Sequence, residues 1–168
     1  MARVILLMGG DTGDVKRTLQ SAQQLVNSRV GAVMRCSHRY ESEPWGFVSD
    51  TRFSNQALEI STDLAPEEVL DAVQEIERQL GRNRAAESVE KASAGVRYVS
   101  RPIDIDIIFY GDETISTDRL VIPHPHLAER EFALVPLAEI VRSKRHPVTG
   151  LTVGEMLDAV RNRQKTDR

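Results

Sequence analysis

The chain has 168 residues, with 25 acidic against 22 Lys and Arg residues and a net charge of −3. That balance excludes bulk electrostatic binding to nucleic acid or an anionic membrane, and no run approaches the roughly 20 apolar residues of a membrane span. A single cysteine, Cys36, permits no internal disulfide, so the cytoplasm is the expected compartment; the length predicts one domain over 1–168.

Val4 to Met8 is a short apolar run of the kind found in a buried central strand. Gly9 to Asp14 reads as a turn, with Asp14 as the cap of a helix whose stripe is Val15, Leu19, Ala22 and Val26. Ala32 to Tyr40 predicts a strand, Glu41 to about Thr51 a polar loop, and Phe53 to Ile60 another strand. Pro66 and Gly81 bracket a second helix with stripe Val69, Leu70, Val73, Ile76 and Leu80. An irregular segment, about 82–100, follows; its small residues and poor periodicity mark Ala85 to Gly95 as a candidate lid. Arg101 to Tyr110 predicts a strand, with short strand-like pieces at Thr114–Ser116 and Leu120–Ile122. Two helices are expected near Phe132–Val141 and Val153–Arg163, and the polar tail, about 162–168, should fray. The β-α-β-β-α-β order predicts an α+β fold, a ferredoxin-like core extended into an α/β/α sandwich.

Chemistry concentrates in Arg101-Pro102-Ile103-Asp104-Ile105-Asp106-Ile107. Aspartate is depleted from strands, yet two stand here on one face, with Cα atoms roughly 6–7 Å apart. Such a pair can share two hard cations about 3.5–4 Å apart, the arrangement of many phosphoryl transfers. The competing reading is an amphipathic strand with its Asp face in water. Positive charge gathers just upstream, at Arg82, Arg84, Lys91, Arg97 and Arg101, and arginine suits phosphate oxygens. The first turn is not a phosphate loop, because it lacks the Gly-Lys-Ser/Thr ending and carries Asp11 and Asp14. In Pro123-His124-Pro125-His126 no further ligands complete a zinc site, so a phosphate contact from His124 is the better functional reading. Glu77, beside the apolar stripe of its helix, either borders a pocket or marks the edge of the buried face. Phe53 and Asn55 share a strand face and could stack on and hydrogen-bond a flat heterocycle, with Phe132 a second ring. Core packing is the ordinary fate of Phe, and Cys36 reads as a small core residue.

Together these segments resemble the 6-hydroxymethyl-7,8-dihydropterin pyrophosphokinases, from Val4 to about Ile140. The resemblance rests on the Arg101-x-x-Asp104-x-Asp106 signature, Glu43-Pro44-Trp45-Gly46, Asn55, Glu77 with Gly81-Arg82, Arg119-Leu120-x-x-Pro123-His124 and Arg130-x-Phe132. It implies transfer of pyrophosphate from ATP to 6-hydroxymethyl-7,8-dihydropterin, giving AMP and the pterin pyrophosphate in tetrahydrofolate biosynthesis. Asp104 and Asp106 would hold two magnesium ions, and Arg82 and Arg101 would act on the phosphates. Gln74, Glu77, Arg84, Tyr98, Ile107, Arg119, His124 and Arg130 would bind ATP. Ser42, Glu43, Trp45, Phe53, Asn55 and Phe132 would bind the pterin, and the segment from Arg82 to Ser100 would close as a lid. Partners are then small molecules, with no nucleic acid and no membrane, and a monomer is expected.

The chain departs from the family at Gly9-Gly10-Asp11, where Gly-Ser-Asn is usual, at Val99-Ser100 before the signature arginine, in a longer lid, and at Pro125, where an aromatic is common. The rival reading from another class is a paralogue that binds nucleotide or pterin without catalysis.

Overall fold

A computed structural model describes residues 1–42, 53–83 and 102–166. At its centre is β1 (Ala2–Gly10), buried at every residue from Val4 onward. Successive strand side chains point to opposite faces, so this one strand feeds two cores. Val4, Leu6 and Met8 pack with residues of α1 (Val15–Arg29) and α2 (Pro66–Gln79). Ile5 and Leu7 pack with α3 (Glu131–Val141) and α4 (Val153–Thr166) on the other side. The result is an α/β/α sandwich.

The remaining strands are β2 (Ala32–Cys36), β3 (Tyr40–Ser42), β4 (Phe53–Thr62) and β5 (Asp104–Tyr110). The sheet order is β2-β4-β1-β5, with β3 also paired to β4, and every described pairing is antiparallel. The chain order β1-α1-β2-β4-α2-β5 is the predicted βαββαβ core. A separate ribbon joins β6 (Ile115–Ser116) to β7 (Val121–Ile122).

Four sequence expectations shift. The strand predicted from Ala32 to Tyr40 is two strands. Ser37 interrupts it, because its hydroxyl accepts from Ala57 N at 2.9 Å while its own N–H reaches Ala57 O. Glu139 on α3 then holds the redirected chain through His38 N–H and the Tyr40 hydroxyl. Gly9 and Gly10 finish β1 instead of forming a turn, since both lie in the ladder with β4. The aspartate strand begins only at Asp104. Helix α4 continues to Thr166, where its polar composition predicted a frayed tail from Asn162. Arg163 donates to Ala128 O at 2.9 Å and Arg161 pairs with Glu131, which secures those last turns.

The cap read at Asp14 and the helix start read at Pro66 are both present. Asp14 accepts from Arg17 N at 3.2 Å at the start of α1. Pro66 opens α2, and Glu68 reaches back to Ala65 N. Val69, Val73 and Ile76 are fully buried, each burial contributing roughly 1.5–3 kcal/mol. The end of α2 matters most for function. Gly81 takes φ +106, Gly81 N donates to Arg78 O, and Arg82 N donates to Glu77 O. This paired closure of the last turn folds Arg82 back over the helix it has just left. A side chain at residue 81 is strained by that φ even though nothing crowds the position. Gly81→Ala is expected to cost about 1–2 kcal/mol, lowering Tm by roughly 2–8 °C in a thermal melt; an unchanged Tm would show that the turn tolerates a Cβ.

Candidate active site

The site is laid out by strand register. Gly9 on β1 faces Asn55 on β4 and Asp104 on β5, while Leu7 faces Ala57 and Asp106. Residues paired across antiparallel strands project to the same face. Asn55, Asp104 and Asp106 therefore share the face whose Ile5 and Leu7 rows pack under α3 and α4. Two strand spacings separate Asn55 from Asp104, about 10 Å.

Gly9 is what lets this row close. A Cβ there would lie 2.4 Å from Phe53 Cε1, 2.8 Å from Asn55 Oδ1 and 2.9 Å from Ser54 O. With no side chain on β1, the Phe53 ring and the Asn55 amide move into the vacated space. Asn55 is 2 % exposed, and its Nδ2 has no hydrogen-bond partner among the described residues. A buried amide donor left in that state costs about 1–3 kcal/mol, so the position favours an acceptor that a ligand can bring.

A buried charge network adjoins Asp104. Arg82 Nη1 lies 2.7 Å from Asp104 Oδ1 and 2.8 Å from Glu77 Oε2. Glu77 Oε2 also accepts from Ile105 N at 2.7 Å. Of the two readings open for Glu77, a pocket border or the edge of the buried face, the first holds, with the side chain itself buried. It is 1 % exposed, yet it also lines a cavity of about 700 Å³ along α2 with Asp71, Gln74, Arg78 and Arg82. Arg119, from the turn before β7, forms an ion pair with Asp71 at the rim of the same cavity.

His124 is half-buried, with its N–H donating to Ile108 O on β5 at 3.2 Å. Burial pushes its imidazole down to about 4, and the charges of Arg130 and His126 push the same way. It is therefore neutral at pH 7. The Arg130 guanidinium lies 5.8 Å from the ring centroid of Phe132, in the first turn of α3. Among the described residues no group of three or more His, Cys, Asp or Glu is arranged to hold a metal ion. The aspartate pair fits a cation that takes its remaining ligands from phosphate and water, as magnesium does. Nor is any helix among the described residues long and apolar enough to cross a membrane.

The model of the 7,8-dihydro-6-hydroxymethylpterin-pyrophosphokinase family matches residues 5–142. This chain belongs to that family. A 2-amino-4-hydroxy-6-hydroxymethyldihydropteridine pyrophosphokinase of Porphyromonas gingivalis is 37% identical over 141 residues, covering 83% of this chain and 91% of that one. One from Bacillus subtilis is 36% identical over 145 residues, covering 86% and 81%. A Plasmodium falciparum HPPK-DHPS crystal structure with pteroate superposes with a TM-score of 0.78 at 15% identity, over 98% of this chain and 45% of that one. The chain spans less than half of that longer protein, and at this identity the likeness concerns the fold. Membership makes the chain a pyrophosphokinase of folate biosynthesis, with ATP as co-substrate.

The pyrophosphokinase fold brings Asp104, Asp106 and Arg82 together at the start of β5, with Gln74 and Glu77 beside them on α2. Phe53 and Asn55 lie across Gly9, and Ser42 on β3 pairs with Phe53 in the sheet. Ile107, expected against ATP, sits in the core shared with α1 and α2, on the opposite face from Asp106. Glu43, Trp45, Arg84, Tyr98 and Arg101, with nearly all of the lid, lie outside the described residues. Gly9 is the site residue that sequence reasoning missed. Its signal was a glycine ending a buried apolar run, which marks a close approach as readily as a turn.

The depressed His124 sets a pH dependence. Unfolded, it titrates near 6.5; folded, near 4. Between those values the unfolded chain binds the additional proton, so the folded state loses stability as pH falls through that window. Urea unfolding at about pH 7 and about pH 5 should show a smaller loss for His124→Gln than for the wild type; equal losses would place the effect in other groups.

Proposed function

We propose that the chain transfers pyrophosphate from ATP to 6-hydroxymethyl-7,8-dihydropterin, releasing AMP, with Asp104 and Asp106 as its magnesium ligands. The observation that carries this reading is the Gly9 row, in which the buried Asn55 Nδ2, without a partner among the described residues, stands in register with Asp104. A flat heterocycle rich in acceptors would satisfy that amide while stacking on Phe53, and Phe132 would supply the opposing ring. The hydroxymethyl group would then be directed along the row toward the aspartates.

Arg82 and Arg101 would bind phosphate oxygens as charge develops in transfer, with Arg119 and Arg130 along the nucleotide. His124, neutral at pH 7, would donate a hydrogen bond to phosphate without adding a full charge. Two magnesium ions held between Asp104, Asp106 and the phosphates would supply charge neutralisation and alignment. The pterin oxygen would form its bond to the β-phosphorus as the bond to the AMP oxygen breaks, the hydroxyl proton being released to solvent. Positioning and electrostatics supply the rate, and the segment from Arg82 to Ser100 is assigned the lid's task of excluding water. The reading treats 1–168 as one catalytic unit, a cytoplasmic monomer.

The test is AMP formation from ATP and magnesium, with and without the pterin. Pterin-dependent AMP is expected, lost with chelator and lowered at least about a hundredfold in Asp104→Asn. Folded protein that binds pterin but forms no AMP would support the non-catalytic paralogue instead. Gly9→Ala should raise the pterin Kd at least about tenfold by driving Phe53 and Asn55 off the row. Calorimetric titration with the pterin alone measures it, and an unchanged Kd would remove the row from the pterin site.

A further inference from the structure

Glu77 is buried and held by its neighbours. Its side chain is 2 % exposed, and Oε2 already accepts from Ile105 N at 2.7 Å and from Arg82 Nη1 at 2.8 Å. The Arg82 side chain is 4 % exposed, and the same Nη1 reaches Asp104 Oδ1 at 2.7 Å. One nitrogen thus lies between two carboxylates, one on the proposed metal pair and one anchored to the backbone of β5.

A guanidinium and a divalent cation compete for a shared carboxylate oxygen, because each neutralises the same charge. Releasing Asp104 to a cation strips Arg82 of one counter-charge in a dry environment, where an unpaired charge is costly. Glu77 retains the guanidinium when that happens. Its bond to Ile105 N also fixes the strand at the residue between the two aspartates.

We infer that Glu77 is a positioning residue acting through Arg82: Arg82 occupies Asp104 while no cation is bound, and Glu77 holds Arg82 so that Asp104 can be yielded to the cation. The inference rests on the proposed reading of Asp104 and Asp106 as metal ligands. It assigns Glu77 a task in loading the site.

The test is Mn²⁺ binding without nucleotide, followed by the EPR signal of free Mn²⁺. Arg82→Met should tighten binding about tenfold by removing the competitor, and Glu77→Gln should weaken it severalfold by leaving Arg82 with Asp104. The double variant should bind as Arg82→Met does, since the Gln amide oxygen can still accept from Ile105 N and only the hold on Arg82 is lost. Equal weakening by Glu77→Gln in both backgrounds would mean that Glu77 acts on the site without Arg82, and would overturn the inference. So would unchanged or weaker binding in Arg82→Met, or equal tightening in Arg119→Gln, which removes the same charge from the cavity rim. Asp104→Asn separates the two readings: Mn²⁺ binding that survives it defeats the metal assignment itself, and this inference with it. If Arg82→Met fails to fold, Mg²⁺ titration of the wild type, read at the Arg82 guanidinium NMR signals, puts the same question. A shift is expected, and signals unmoved at saturating Mg²⁺ would overturn the inference.

Discussion

A central strand that must fill two cores and then stop filling space governs this molecule. From Val4 to Met8, alternate side chains of β1 go to the α1–α2 core and the α3–α4 core, and all are buried. At Gly9 that supply ends on the α3–α4 face while the hydrogen-bond ladder continues, with Asn55 on one side and Asp104 on the other. The backbone thus stays rigid where the side-chain layer is missing. Functional groups held on paired strands in this way are fixed by the ladder itself, which is more exact than placement on a loop. Any residue larger than glycine would refill the space with a methyl group at 2.4 Å from Phe53.

The second constraint is electrostatic. Glu77, Arg82 and Asp104 meet where little water reaches, and buried charges survive only when paired and hydrogen-bonded. Replacing one member strands the others, at a cost of about 3–5 kcal/mol, which makes the network sensitive in a way that surface pairs such as Arg78–Glu75 are not. The same sensitivity has a chemical use. A charge held between two partners can exchange one of them for a ligand, whereas a charge with one partner can only be abandoned.

Much of this was legible in the sequence, for identifiable reasons. The aspartate pair stands out because strand period is fixed at two, and Asp on alternate positions of an Ile-rich run is a visible conflict between propensity and place. The limits of α2 were readable because Pro and Gly punctuate helices by backbone geometry, independently of what packs around them. Gly9 was not readable in the same way. A glycine gives no sign of whether it bends the chain or admits a neighbour, and the neighbours here, Phe53 and Asn55, are more than forty positions away. The break at Ser37 was hidden for a related reason, since a hydroxyl replaces a ladder bond only once Ala57 is alongside. Glu77 lies between those cases. Helical spacing put it next to the buried stripe, but its burial depends on a guanidinium delivered by the turn at Gly81.

That turn joins fold to chemistry. The closure of α2 is a local backbone matter, satisfied by two bonds from Gly81 and Arg82 to the last carbonyls of the helix. Yet the residue it turns back is the one whose Nη1 bridges Glu77, on the helix, to Asp104, on the strand. The cap therefore fixes the distance between α2 and the start of β5 through a charged side chain. Packing of apolar faces resists sliding weakly, because it is non-directional. Hydrogen-bonded ion pairs supply the direction that packing lacks. A helix end and a strand start held by such a bond can keep two carboxylates in place for a ligand carrying several negative charges, which would otherwise push them apart.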